Sequence, residues 1–171
     1  MNVLVKLLCS ALLLVISLAP LAEPLDQIQT SRDWSVEASS ARGAGIPIMV
    51  IFTAKSCGYC TQLRDQVLQP LLRQGALKNR VLIREFDIDS GGKITDFDGE
   101  RIRSRIFVKR YDIYATPTVV LVDHLGRALT DPIVGFNGPE AYTEFLDHAI
   151  SSAVMSLAAL SPRHAANLTG N

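Results

Sequence analysis

The sequence predicts an α/β fold, a central sheet covered by helices, and three stretches carry that prediction. Residues 48–53 form an apolar run rich in β-branched side chains, followed by a short polar break and then by Leu63, Val67, Leu68, Leu71 and Leu72 at helical spacing. Residues 81–88 form a second strand, and the helix between the two makes their pairing parallel, because only a crossover joins parallel strands. Thr118-Val119-Val120-Leu121-Val122 forms a third, and a helix with one apolar face (Tyr142, Phe145, Leu146, Ala149, Ile150, Val154, Leu157) follows it.

In chain order, Lys6 precedes a nearly unbroken apolar run over residues 7–18, and small residues follow at Ala19-Pro20-Leu21-Ala22. The run is shorter than the ~20 residues of a membrane span. Residues 1–22 therefore read as a secretory signal peptide, with an uncleaved anchor as the alternative. Export places the mature chain in the periplasm, or outside the cell if the source is not Gram-negative. The whole chain has 17 basic and 17 acidic residues, and loss of Lys6 leaves 16 against 17. That near-neutral balance argues against a nucleic-acid or membrane-surface partner. Loss of Cys9 leaves Cys57 and Cys60 as the only cysteines, so an exported domain keeps its one pair for chemistry.

Residues 23–45 read as a weak N-terminal helical extension closed by Gly43-Ala44-Gly45, with Trp34 as a packing anchor. Residues 46–160 form the main domain. Within it Pro70 should kink the first helix, since it lacks an N–H and clashes with the preceding turn, and Gly75 marks that helix's end. Residues 90–108 read as a surface insertion, with Asp98-Gly99 closing a small hairpin and Arg101, Arg103, Arg105, Lys109 and Arg110 making a basic, solvated face, the alternative being a docking surface for an acidic partner. Ile133-Val134-Gly135 is a short fourth strand, and Asn137-Gly138-Pro139-Glu140 starts the last helix. Ser161-Pro162 ends it, leaving residues 163–171 loose and residues 161–171 as a disordered tail.

Chemistry concentrates at Cys57-Gly58-Tyr59-Cys60. A helix N-terminus presents free N–H groups and partial positive charge, which stabilise an anion there. A Cys57 thiolate is that anion, so this thiol should ionise more readily than an ordinary one. Cys60, one turn further in, is shielded but close enough to bridge. Tyr59 keeps an N–H that can point at the Cys57 sulfur. A zinc half-site needs two more ligands, and His124, His148 and His164 are scattered. A copper carrier of the Met-x-Cys-x-x-Cys type needs methionine where Lys55 stands. Redox chemistry fits best, with no metal and no cofactor required.

Strand, Cys-x-x-Cys helix, strand, insertion, then Thr116-Pro117 entering an apolar strand and Gly135 before the last helix resembles the thioredoxin superfamily over residues 46–151. The resemblance implies a thioredoxin fold with a central mixed sheet flanked by helices, and a cis Thr116–Pro117 bond lying against a redox-active Cys57–Cys60 disulfide. It implies a thiol:disulfide oxidoreductase in which Gly58, Tyr59, Thr116 and Pro117 contact substrate. The Gly-Tyr dipeptide and Thr116 are similar to the catalytic domains of periplasmic disulfide isomerases, and the surrounding chain to small exported thioredoxins, including those associated with sulfur oxidation. Reduction or isomerisation of disulfides in client proteins is the first expectation, reset by a separate redox partner, with the chain acting as a monomer. Oxidase function is the alternative, ahead of a copper(I) carrier or a non-catalytic binding module. Where thioredoxins carry a buried aspartate this chain has Ile51, so another group must take the proton from Cys60. Alternation puts Glu85 on the face of Val81 and Ile83 of the second strand. Desolvation there favours the neutral acid and suits Glu85 to a general-base role, the alternative being an ion pair with Arg84 or Arg80.

Overall fold

A computed structural model describes residues 28–168 of the chain, with side chains described to residue 160. The proposed leader at 1–22 lies outside these residues, as do residues 169–171. Helix α1 (Trp34–Ala44) leads into strand β1 (Ile48–Thr53). Helix α2 (Gly58–Leu63), a π turn (Arg64–Leu68) and helix α3 (Gln69–Arg73) then run on as one rod. Strand β2 (Leu82–Asp87) and a 3-10 turn (Ile88–Ser90) follow, then strands β3 (Lys93–Thr95) and β4 (Arg101–Arg103), helix α4 (Ser104–Arg110), β5 (Thr118–Val122), β6 (Ile133–Val134) and helix α5 (Pro139–Leu168). The main sheet has the order β2-β1-β5-β6. β1 pairs parallel with β2 and antiparallel with β5, so the sheet is mixed as expected. No described helix is long and apolar enough to cross a membrane.

All six residues of β1 are buried, and alternation sends them into two cores. Met49 and Ile51 join Leu63, Val67, Ile83, Leu121 and Leu146 beneath α2 and α5. Ile48, Val50 and Phe52 join Trp34, Phe86, Phe97 and Phe107 on the opposite face. Trp34 is fully buried, its ring stacked on Phe107 with centroids 4.9 Å apart. The sequence sets residues 23–45 apart as an extension, but α1 is fixed into this aromatic core by its first residue. Asp33 caps α1 by accepting from Ser35 and Val36 N–H groups, and Gly45 at φ 67° closes it.

Residues 90–108 differ from the solvated insertion the sequence predicts. The β3–β4 hairpin forms as expected around the Asp98-Gly99 turn, and Arg101, Arg103, Arg105 and Lys109 are exposed. Ile94, Phe97 and Phe107, however, are buried against Trp34, so the segment builds one of the two cores. Its aromatic residues are spaced too irregularly among the charges to show a period, which is why it reads as surface. Asp96 is tied to Arg110, whose Nη1 lies 2.7 Å from Oδ1 and whose Nη2 meets Oδ2. A hydrogen atom on Gly126 is required here, since a Cβ would come within 2.5 Å of the Phe97 ring.

Pro70 produces no break. The π turn lets the Gln69 N–H reach the Arg64 carbonyl, five residues back, and α3 restarts with Pro70 in its first turn, where a missing N–H costs nothing. α5 likewise runs past Ser161-Pro162, where the sequence ends the helix and begins a disordered tail. The backbone stays helical through Pro162 to Leu168. The chain before α1 pairs with β2: Ser31 N–H donates to the Glu85 carbonyl at 3.0 Å, and Glu85 N–H to Gln29 at 2.9 Å. Thr95 N–H then donates to the Arg32 carbonyl at 2.9 Å, tying the hairpin to the same segment.

Two stability predictions follow from these contacts. The Tyr142 hydroxyl is buried with no partner among the described residues, and burial pushes its ionisation well above the usual phenol range. Tyr142→Phe should therefore stabilise the fold by up to about 1 kcal/mol, read as a higher urea midpoint; a fall would mean that the hydroxyl is bonded. For Asp96, burial favours the neutral acid, but the Arg110 guanidinium and the Phe97 N–H outweigh it and hold the carboxyl below its usual value. A depressed folded value means stability that is present above about pH 4 and lost as pH falls through the folded value. Asp96→Asn should cost about 1–3 kcal/mol at pH 6, and the gap to the native protein should narrow by pH 3 in urea titrations.

Candidate active site

β1 delivers the chain to a short loop that is held from both sides. The Lys55 N–H donates to Asp89 Oδ2 at 3.0 Å, and the Cys57 N–H donates to the Ala54 carbonyl at 3.3 Å. Cys57 then occupies the N-cap of α2 with an extended backbone, and its Sγ accepts the Cys60 N–H at 3.1 Å. That bond comes from Cys60, where the sequence nominates Tyr59, because the cap geometry aims the third helical N–H at the cap side chain. Cys57 and Cys60 form a disulfide, with Cα atoms 5.2 Å apart. Cys60 is 6% exposed and Cys57 half-buried, so an incoming group meets Cys57 first. A thiolate at Cys57 would inherit the N–H and the positive end of the helix, both of which favour the anion.

Facing this turn, the Thr116–Pro117 bond is cis, as the family resemblance implies. Pro117 is buried and its carbonyl accepts the Gly135 N–H at 2.8 Å, while the Thr118 hydroxyl donates to Ala115 at 2.8 Å. Thr116 precedes the first residue of β5 and lies outside its ladder. An open cleft of about 550 Å³ brings Cys57, Gly58, Tyr59 and Thr116 to one surface, together with Ser56, Gln62 and Asp89. Tyr59 is 59% exposed at its rim. Among the described residues no group of three or more His, Cys, Asp or Glu side chains is placed to hold a metal ion.

Glu85 lies 8% exposed on the face shared with Ile83, as strand alternation requires. Its Oε1 accepts from Arg64 Nη2 at 2.6 Å and from Nε at 3.1 Å. The sequence offers Arg84 or Arg80 as partner, but Arg84 points to the opposite face, 2.8 Å from Glu37, and Arg80 reaches Asp147 at 2.7 Å. Arg64 stands four residues after Cys60, one turn further along the same rod at the start of the π turn. The i,i+4 relation was available in the sequence; which strand residue faced it was not. Asp89 and Gln62 were also missed, since neither belongs to a motif or a periodic face.

A family model described as a thioredoxin-like domain matches residues 34–150. No curated protein sequence matches the chain. Among solved structures, DsbH oxidoreductase is similar at a TM-score of 0.52 and 16% identity, over 79% of this chain and 94% of that one. Trxlp from Edwardsiella tarda gives 0.51 and 18%, over 70% and 98%. Mitochondrial thioredoxin 3 from Saccharomyces cerevisiae, in its oxidised form, gives 0.50 and 20%, over 72% and 93%. The chain belongs to the thioredoxin-like family, as a thiol:disulfide oxidoreductase with its redox pair at Cys57 and Cys60.

Proposed function

We propose that the chain is exported and, in the periplasm, reduces or isomerises disulfides in client proteins. The observation that carries this reading is a half-exposed Cys57 sharing one open cleft with Thr116. Export rests on the leader-like residues 1–22. A client strand would lie beside the Thr116 backbone, its disulfide over Cys57.

The Cys57 thiolate attacks one client sulfur, forming a mixed disulfide and releasing the other client sulfur as a thiolate. Cys60, losing its proton, attacks Cys57 Sγ, which regenerates the Cys57–Cys60 disulfide and frees the second client thiolate. Two electrons pass from the cysteine pair to the client, and a separate partner must return them. Glu85 is the buried carboxylate on the Cys60 side of the sheet, and we assign it the proton, with Arg64 holding its Oε1 in place. Oxidase function would run the same steps in reverse, and the reduction potential of the pair separates the two directions.

Cys57→Ser should abolish turnover, whereas Cys60→Ser should accumulate covalent client adducts visible on non-reducing gels. Equal trapping by the two variants would reverse or remove the assigned roles. Glu85→Gln should slow resolution of the mixed disulfide by roughly tenfold or more and flatten its pH dependence, with the first attack by Cys57 nearly unchanged. Stopped-flow traces of the two phases across pH 5–9 check this, and an unchanged profile removes Glu85 from the mechanism.

A further inference from the structure

The wall of the active cleft holds one charged side chain among the described residues, that of Asp89. Its position is fixed rather than incidental. Asp87 caps the 3-10 turn by accepting the Asp89 N–H on Oδ1 at 2.8 Å, and the Ser90 hydroxyl donates to the Asp87 carbonyl at 2.7 Å. Arg32 clamps the far side, donating to Ser90 Oγ and to the Gly91 carbonyl, each at 2.7 Å. Asp89 Oδ2 is committed to the Lys55 N–H in the loop that carries Cys57. The carboxylate is therefore attached to the redox loop itself, exposed at the mouth rather than buried beneath it.

We propose that Asp89 is a charge filter for the exchange reaction, favouring cationic segments around the scissile disulfide and disfavouring anionic ones. The discrimination is Coulombic. Asp89 and Cys57 line one cleft, so a substrate charge next to the attacked sulfur lies within about one Debye length of Asp89 (~10 Å at 0.1 M salt) and feels it only partly screened. At that range, with an effective dielectric between protein and water, each unit charge changes the encounter severalfold. Lys55 is exposed on the same loop but its side chain is not among those that line the cleft. The filter rests on Cys57 as the attacking sulfur.

The test uses the full chain, reduced beforehand and freed of reductant, mixed in single turnover with three disulfides of similar size: cystamine (dicationic), bis(2-hydroxyethyl) disulfide (neutral) and dithiodipropionate (dianionic). In each, the Cys57 thiolate displaces one thiolate, Cys60 displaces the second, and the protein pair supplies both electrons. The native protein should react with cystamine well ahead of the dianion, and added salt should close the gap while leaving the neutral disulfide unchanged. Asp89→Asn keeps an oxygen to accept the Lys55 N–H and loses only the charge. It should lower the cationic-to-anionic rate ratio by about tenfold. Any uniform change in Cys57 reactivity cancels in that ratio, so a merely structural role would not move it. Reduction of the neutral disulfide with a ratio that neither salt nor the substitution alters would overturn the filter and leave the oxidoreductase reading standing. Failure to reduce all three would overturn both.

Discussion

Burial of β1 along its whole length is the constraint on which the rest of the molecule depends. A strand covered on both faces needs two separate hydrophobic layers, and it hydrogen-bonds to neighbours on both sides, β2 and β5. One layer comes from the rod carrying the cysteines and from α5. The other comes from α1, the hairpin and α4, gathered around Trp34. Because β1 can neither shift nor twist freely between these layers, the loop at its end projects Cys57 from a rigid base. The redox turn thus derives its precision from a strand that contributes no side chain to the cleft.

Much of this was legible in residues alone. The order of β1, the cysteine-bearing rod, β2, β5, β6 and α5, the parallel β1–β2 pairing, the Asp98-Gly99 turn and the convergence of Cys57, Tyr59 and Thr116 follow from periodicity, crossover logic and a family resemblance, whereas α4 carries no such signal. Phe97 and Phe107 hide in a segment whose arginines dominate its appearance, and only their contact with Trp34, more than 60 residues earlier, reveals them as core. Pro70 looked like a kink because proline rules describe an α-helix; a π turn moves the register by one residue and absorbs it. Glu85 could be placed on the right face by alternation, yet its partner depended on how far the α2 rod lies over β2. Asp89 was invisible because a side chain that accepts from a backbone N–H 34 residues away leaves no sequence period.

The two carboxylates at the end of β2 illustrate how placement separates an interior group from one at the surface. Glu85 is enclosed and held by a guanidinium, so its carboxylate is turned inward, against the sheet. Asp89 is open to solvent and held by a backbone amide, so its charge is turned outward, toward whatever enters. Both sit on or directly after β2, four residues apart, and the strand's end is what divides an interior group from one at the surface.

The pairing of residues 29–31 with β2 has a consequence for how the sheet meets other chains. An open outer strand offers a row of unsatisfied N–H and C=O groups on which a foreign strand can be templated, the usual route to edge-to-edge aggregation. Here the segment before α1 occupies that row at Glu85, leaving β6 as the sheet's other border, and β6 is only two residues long. A border so short supports few intermolecular bonds. The same few residues that anchor α1 therefore also act as a guard strand, protecting the sheet from accretion while the cleft stays open for exchange.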